Sequence, residues 1–226
     1  MAYKNKKTVA GPQFPIALAW AAVAAADRIN GQVYYNANAY GMPQTARFNK
    51  EIAWSALLDS TLITEVDWDF GTELSIHFAG LLMKKIGGSI TSGFIDTVAN
   101  IVGMETVGKF EVACMAALPK TYRSDIKRET SVNTQQSFIA TSDYVAQEGS
   151  KICTKVTIID SVYSTNYNIY INTATDGTNI YKFSTAHDSK IFPMNQEMAI
   201  KGKVKRHAVN ERTGVKETWL NYIKRI

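Results

Sequence analysis

Apolar residues recur at helical spacing through the first half of the chain. In segment 67–86, for example, Leu74, Phe78 and Leu81 fall on one side, and Gly87-Gly88 follows as a stop signal. The same pattern predicts five helices, over residues 12–30, 47–63, 67–86, 90–103 and 107–128, with Pro119 breaking the last. No stretch has the roughly 18–20 uninterrupted apolar residues that span a bilayer. We therefore expect a cytoplasmic protein without a membrane partner.

From Lys151 onward the pattern changes to short runs rich in β-branched and aromatic residues, separated by turn residues. Asp176-Gly177 is a strong hairpin signal. A closed barrel removes the edges of so small a sheet, and the order of hairpin, strand, short connector and final hairpin favours an OB-fold. A sandwich or an SH3-like barrel is the alternative. The five predicted strands cover residues 151–163, 166–175, 178–186, 197–209 and 215–226.

The two patterns divide the chain and define its fold class. We predict an α+β protein in which residues 1–130 are mainly helical and residues 148–226 form a five-stranded, OB-like β-barrel. Residues 131–147 are polar and rich in Ser, Thr and Gln, which is typical of a linker or a packed loop.

Charge is distributed unequally between these parts. Residues 148–226 hold 12 Lys and Arg against 7 Asp and Glu, and they carry the whole formal charge of +5. Such asymmetry favours an anionic partner for the barrel, although a solvated strand face can also be basic.

Strand alternation places Lys201, Lys203 and Lys205 on one face at intervals of roughly 6.5–7 Å. Lys216, Lys224 and Arg225 on the next strand could extend this row.

Aromatic residues accompany the lysines. In NYNIYINT, Tyr170 shares a face with two asparagines, so we expect it to point outward. Outward-facing aromatic side chains beside lysines are typical of proteins that bind single-stranded nucleic acid with little sequence preference. The bases stack on the aromatic rings, and the lysines neutralise the phosphates. This hypothesis predicts one groove that holds Tyr170 and Tyr222 with Lys203 and Lys205. Phe183 and Trp219 are expected in the core, with base stacking as the alternative. The candidate nucleic-acid-binding residues are Lys201, Lys203, Lys205, Arg206, Lys216, Tyr170, Tyr222, Trp219 and Lys182.

The barrel region contains four short motifs, which are Glu148-Gly149-Ser150-Lys151, Phe183-Ser184-Thr185, Lys203-Val204-Lys205-Arg206-His207 and Gly214-Val215-Lys216-Glu217-Thr218. Together they resemble the C-terminal barrel of bacteriophage single-stranded-DNA-binding and replication proteins. The resemblance implies an OB-fold that coats or positions DNA in the host cytoplasm, with the phage's own replication proteins as further partners. Such proteins often end in an acidic tail. This chain ends in the basic run 222–226, so either partners bind the helical half or the protein does not coat DNA.

Catalytic and metal-binding motifs do not stand out. Cys114 and Cys153 are isolated and expected to be buried, and His77, His187 and His207 lack the spacing of metal ligands. We predict no metal, no cofactor and no enzymatic activity. The function predicted from the sequence is single-stranded DNA binding, or RNA binding, in phage replication or recombination. One alternative is a structural or interaction protein of viral assembly. Another is a nuclease that uses the carboxylates of segment 65–73.

Overall fold

The computed structural model describes residues 11–37, 41–88, 93–186 and 191–226. His187 and residues 90–92, the start of the fourth predicted helix, lie outside this part. The chain divides into two compact units, Met1–Asp125 and Ile126–Ile226. The N-terminal unit is helical and the C-terminal unit contains a closed five-stranded barrel, so the predicted α+β class is confirmed.

The helices follow the predicted pattern, with differences at their ends. The break near Pro119 separates α5 from α6, and Pro119 lies in the first turn of α6, where a missing N–H is tolerated. Helix α6 continues past the predicted end at residue 128, so residues 131–136 are helical rather than part of a linker or loop. The helices are α1 (Ile16–Ile29), α2 (Asn49–Leu58), α3 (Glu65–Ile86), α4 (Gly93–Val102), α5 (Lys109–Met115) and α6 (Leu118–Gln136), with a 3-10 turn at Ser60–Leu62 and two short paired strands, β1 (Phe14–Pro15) and β2 (Thr106–Val107).

Helix α1 forms the centre of the helical unit. Every residue from Ala19 to Asp27 is at most 4% exposed, because the small alanine side chains let neighbouring helices approach from several sides. Helix α3 comes close to α1 at Gly71, where an added Cβ would lie 2.8 Å from the backbone nitrogen of Ala21. Helix α3 therefore packs against the backbone of α1 at this point. None of the helices in the described residues is long and apolar enough to cross a membrane.

Among the described residues of the helical unit, the carboxylates of Asp27 and Asp67 are buried, and each binds an arginine. The guanidinium of Arg123 donates two hydrogen bonds to Asp27, at 2.6 and 2.7 Å. Arg28 donates two to Asp67, both at 2.8 Å. Asp67 also accepts hydrogen bonds from the backbone N–H and hydroxyl of Thr64, and thereby caps α3. Two-pronged pairing of this kind compensates for the loss of water around a buried charge.

The C-terminal barrel has the strand order β3-β4-β5-β7-β6, and β6 pairs back to β3 to close it. Neighbouring strands are antiparallel except β5 and β7, which are parallel. Closure leaves no free sheet edge, and the result is the predicted OB-like barrel. The strands are β3 (Lys151–Ser164), β4 (Ile169–Thr175), β5 (Ile180–Thr185), β6 (Glu197–Val209) and β7 (Lys216–Arg225).

The barrel interior is apolar and closely packed. Phe183 is fully buried beside Phe192, with ring centroids 5.3 Å apart, so the expected core position of Phe183 is confirmed. The hairpin between β4 and β5 turns at Asp176, whose carboxylate accepts hydrogen bonds from the backbone of Thr178 and from the hydroxyl of buried Tyr181. Burial opposes ionisation of Asp176, but its hydrogen bonds, of which the one from the backbone N–H of Asn179 has the largest effect, outweigh burial and lower its pKa.

Gly71→Ala is expected to lower the free energy of unfolding of the helical unit by about 1–3 kcal/mol, because the new methyl group clashes with the α1 backbone. Gly80→Ala on the same helix is the matched control, since nothing lies within 4 Å of its added Cβ. The control should be neutral or stabilising by up to about 1 kcal/mol. Urea titration followed by far-ultraviolet circular dichroism measures both, and equal effects would contradict the close approach at Gly71.

Acid should destabilise the helical unit through Asp67. Burial raises the pKa of Asp67, but hydrogen bonds from Arg28 and Thr64 outweigh this effect and leave the pKa below its unfolded value. The associated stability is therefore present above the unfolded pKa of about 3.9 and is lost as the pH falls through the folded pKa. Asp67→Asn should be less stable than wild type at pH 7, and the difference should shrink towards pH 2–3.

Unfolding free energies from urea titrations between pH 7 and pH 2.5 test this expectation. Asp69→Asn, an exposed substitution on the first turns of the same helix, is the control and should follow the wild type at every pH. A constant difference between wild type and Asp67→Asn would show that Asp67 does not titrate below its unfolded pKa.

Candidate nucleic-acid interface

Strand β6 carries the predicted lysine row on the outside of the barrel. Lys201, Lys203 and Lys205 are exposed, and the residues between them are buried. The predicted alternation of this strand is therefore confirmed, and the three lysines point into solvent from one face.

Strand pairing brings further cations to the row. Lys203 lies opposite Lys151 of β3, and Lys201 lies opposite Lys224 of β7. These four lysines, together with Tyr222, line an open groove of about 690 Å³, and no carboxylate is among the described residues that line it. We call this surface the barrel groove. Lysines without intervening acids attract an anionic ligand across the whole groove.

Strand β3 contributes residues that the sequence analysis missed. Lys151 is absent from the predicted site, although exposed positions alternate with partly buried ones at the start of β3. Cys153 lies two residues further on the same face and also lines the groove. The expectation that Cys153 is buried is wrong, since its side chain is exposed. The sequence did contain a signal for this face, because Lys151, Cys153 and Lys155 occupy every second position of β3, as the lysines of β6 do.

A β-bulge in β7 brings Tyr222 to the barrel groove. Between two consecutive pairings of β6 and β7, β6 contributes only Gly202 whereas β7 contributes both Tyr222 and Ile223. Tyr222 has a φ of 54°, a left-handed conformation that costs a non-glycine residue roughly 1–2 kcal/mol. Strict alternation would return Tyr222 to the core side with Leu220. The bulge instead leaves Tyr222 78% exposed and turns Ile223 towards the core.

Glycine at position 202 makes room for this bulge. A Cβ at Gly202 would lie 2.6 Å from the Cδ1 atom of Ile223 and 3.3 Å from the carbonyl oxygen of Asn221. A side chain at this position would have to displace the end of the Ile223 side chain and would crowd the backbone of the bulged segment. Gly202 therefore lies on the buried face between Lys201 and Lys203 for a structural reason, since it accommodates the bulge that exposes Tyr222.

Tyr170 does not lie in the barrel groove, contrary to the prediction. Its neighbour Asn172 is only 1% exposed, and Ala174 on the same face belongs to the barrel core. This face of β4 therefore points into the barrel, where the side chain of Asn172 accepts a hydrogen bond from the hydroxyl of Ser161. The prediction failed because it assumed that asparagine faces water.

Tyr170 packs instead at the other end of β3. Its ring centroid lies 4.9 Å from that of Tyr163, and the two residues are opposite each other in the β3–β4 pairing. Lys205, which the hypothesis also placed in the groove, is exposed on the same face of β6 but is not among the lining residues. Of the four residues predicted to share one groove, Tyr222 and Lys203 do so.

Lys182 is held within the barrel wall. Its Nζ atom lies 2.8 Å from Glu217, and the two side chains are only 14% and 3% exposed. Glu217 also accepts hydrogen bonds from Asn210 and from the indole N–H of Trp219. The charge of Lys182 is therefore neutralised inside the wall, and the prediction that it contacts a nucleic acid is corrected.

Trp219 and Arg206 form a separate contact on the outer wall. Trp219 is partly exposed rather than in the core as expected, and the guanidinium carbon of Arg206 lies 4.8 Å from its ring centroid. This distance is within the range of a cation–π interaction. Neither residue is among those that line the barrel groove.

Lys216 is also engaged outside the groove. Its Nζ atom donates a hydrogen bond of 2.9 Å to Asp143 and lies 5.4 Å from the ring centroid of Tyr144. The hydrogen bond to Asp143 raises the pKa of Lys216, and the same bond lowers the pKa of Asp143. Lys216 therefore does not extend the lysine row into the barrel groove.

OB-folds commonly bind their ligands on the outside of the strands that correspond to β4 and β5. In this barrel that face is covered. Thr173 and Ile180 point outward from these strands and are at most 4% exposed. The hydroxyl of Ser142, in the segment after α6, accepts a hydrogen bond from the Ile180 N–H and donates one to the carbonyl oxygen of Lys216. The exposed basic surface accordingly lies on β3, β6 and β7.

The acidic segment 65–73 has structural partners. Asp67 binds Arg28 and Thr64 as described above, and Glu73 accepts a hydrogen bond from the hydroxyl of Tyr122. Within the described part of the chain, no three His, Cys, Asp or Glu side chains are placed to share a metal ion. The nuclease alternative therefore has no supporting geometry among these residues.

Comparison with known proteins adds no assignment. No model of a known protein family, no curated protein and no solved structure matches the chain significantly. The fold and the geometry of the barrel groove therefore carry the functional argument.

Glu217→Ala is expected to destabilise the barrel by about 3–5 kcal/mol, because it leaves the buried charge of Lys182 without a partner. Asp143→Ala, which breaks the exposed ion pair with Lys216, is the control and should have little effect. Unfolding by urea, followed by the fluorescence of Trp219 in a background with the other tryptophans replaced by Phe, measures both. A Glu217→Ala variant as stable as the control would show that Lys182 remains free to reach solvent.

Proposed function

We propose that this protein binds single-stranded nucleic acid in the barrel groove and performs no chemistry on it. The observation that supports this most strongly is the groove itself. Four lysines line it without a carboxylate among the described residues, and a highly exposed tyrosine stands beside them. Lysines neutralise phosphates, and an exposed ring offers a stacking surface for a base.

The spacing of the lysines suits an extended strand. Lys201 and Lys203 are two residues apart on β6, which corresponds to roughly 6.5–7 Å, close to the distance between neighbouring phosphates of an extended single strand. Lys151 and Lys224 flank them on the adjoining strands. A backbone that follows the row can contact several lysines at once.

Tyr222 favours a single strand over a duplex. Its ring is 78% exposed, and base stacking on such a ring contributes about 1–3 kcal/mol per base. The bases of a duplex are already stacked on each other, so they cannot use this surface without unpairing. Stacking does not depend on base identity, and we therefore propose binding with little sequence preference, to DNA as the main ligand and to RNA as the alternative.

The resemblance of the barrel strands to phage single-stranded-DNA-binding proteins supports a particular setting. In this proposal the protein acts in phage replication or recombination in the host cytoplasm, together with replication proteins of the same phage. The OB-like barrel is compatible with this role, since barrels of this type commonly bind oligonucleotides.

Binding should be specific for single strands, sensitive to salt and dependent on the groove. With four phosphate contacts, the logarithm of the association constant should fall with the logarithm of salt concentration with a slope of about −3. Lys201→Glu/Lys203→Glu should abolish most of the affinity and about halve that slope. Tyr222→Ala should weaken binding by about 5- to 150-fold with little change in slope. Fluorescence polarisation with labelled oligo-dT and a matching duplex, from 50 to 200 mM salt, measures these effects.

Lys127→Glu/Arg128→Glu is the control, because it makes the same change in net charge at two exposed positions of α6. It should retain the affinity of the wild type. Equal weakening in the control and in the groove variant would show that binding follows net charge and not the groove. Absence of binding at 50 mM salt would favour the structural or interaction protein.

A further inference from the structure

The helical unit contains a second groove of similar chemistry, which we call the helical groove. It has a volume of about 700 Å³, within the range of small-molecule binding sites. Its walls come from α2, the residues just before it, and α5. The residues that define its chemistry are Arg47, Lys50, Glu51, Trp54, Lys109 and Phe110.

Two aromatic side chains line the helical groove in different ways. Trp54 is partly buried and packs edge-on against Phe14, with ring centroids 5.5 Å apart and planes at 88°. This contact with the helical core holds the indole in place. Phe110 is 67% exposed. A fixed indole and an exposed ring in one groove can stack a flat aromatic ligand with little loss of side-chain entropy.

Cations outnumber acids in this groove. Arg47, Lys50 and Lys109 line it together with one carboxylate, Glu51. Across the described ranges of the chain, none of these three cations lies within 4.0 Å of an Asp or Glu oxygen. The Nζ atom of Lys109 lies 6.0 Å from the ring centroid of Trp54. A positive charge and an aromatic face are thus within reach of one small ligand.

We propose that the helical groove binds a nucleotide, with the base stacked on Trp54 and Phe110 and the phosphate held by Lys50, Lys109 and Arg47. Both halves of a nucleotide are needed to use both features, because an apolar ligand leaves the three cations unused and inorganic phosphate leaves the rings unused. One carboxylate is too few to hold a divalent cation without other anionic ligands. The site lies on a different unit from the barrel groove and does not rest on the function proposed for it.

The nucleotide can be free or part of a strand, and photo-cross-linking distinguishes the two. The full chain is irradiated with 5-iodo-dUMP or, separately, with oligo-dT that carries 5-iodo-deoxyuridine, and the cross-linked peptides are located by mass spectrometry. We expect adducts at Trp54 or Phe110. Adducts with both probes indicate a site for free nucleotides, and adducts with the oligonucleotide alone indicate a site for nucleotides of a strand.

Lys50→Glu/Lys109→Glu should reduce these adducts by about tenfold or more, since two attractive charges become repulsive. Phe110→Ala, which removes an exposed ring and leaves the charge unchanged, should reduce them as well. Lys84→Glu/Lys120→Glu is the matched control, with the same change in net charge at exposed lysines of the helical unit outside the groove. It should leave the adducts at the wild-type level.

The test separates this site from the barrel groove. In Lys201→Glu/Lys203→Glu, adducts of 5-iodo-dUMP at Trp54 or Phe110 should persist even if oligonucleotide binding is lost. The proposal is overturned if neither probe forms adducts at these two residues. It is also overturned if the charge-reversed variant, with an unchanged thermal unfolding midpoint, forms them as readily as the control.

Discussion

The close packing of Ile223 and of the Asn221 backbone against Gly202 accommodates the bulge that shapes the barrel groove. Because glycine has no side chain, the last strand can insert an extra residue opposite it without breaking barrel closure. Ile223 then packs against the core, and Tyr222 is displaced to the outside in a left-handed conformation. That strain is offset by the burial of Ile223 and by the pairing on either side of the bulge. The same few atoms therefore link the packing of the core to the exposure of the aromatic ring.

Two groups of cations among the described residues have different physical roles. Arg28, Arg123 and Lys182 bind buried or nearly buried carboxylates, and breaking such pairs is costly because a charge is left in a medium of low polarity. The lysines of the barrel groove and the cations of the helical groove lie at exposed positions next to aromatic side chains. Charges of this second kind contribute little to stability and are free to bind an anion. The division separates the residues that maintain the fold from those available for a ligand.

The lysine row could be predicted from the sequence because it depends only on the two-residue period of a strand whose other face is apolar. The two-residue period carries no information about contacts between strands, and such contacts determine the positions of Tyr170, Tyr222 and Lys182. The partner of Asn172 is a serine on another strand, and the partner of Lys182 is a glutamate far along the chain. Tyr222 is turned outward by a bulge, which shifts the alternation of its strand by one residue. The same period predicts that Lys151 is exposed, but only the pairing of β3 with β6 shows that it lies beside Lys203.

The sequence by itself determined the local periodicities, and with them the helical half, the five strands, the hairpin at Asp176-Gly177 and the exposed face of β6. These features follow from the spacing of apolar residues and from turn chemistry, which act over a few residues. Only the tertiary structure decided which cations remain unpaired, which outer face of the barrel is covered by the segment after α6, and which aromatic side chains stand beside the lysines. Those outcomes depend on strand register and on contacts between residues distant in sequence, because a single residue gained or lost in pairing reverses the direction of every side chain that follows.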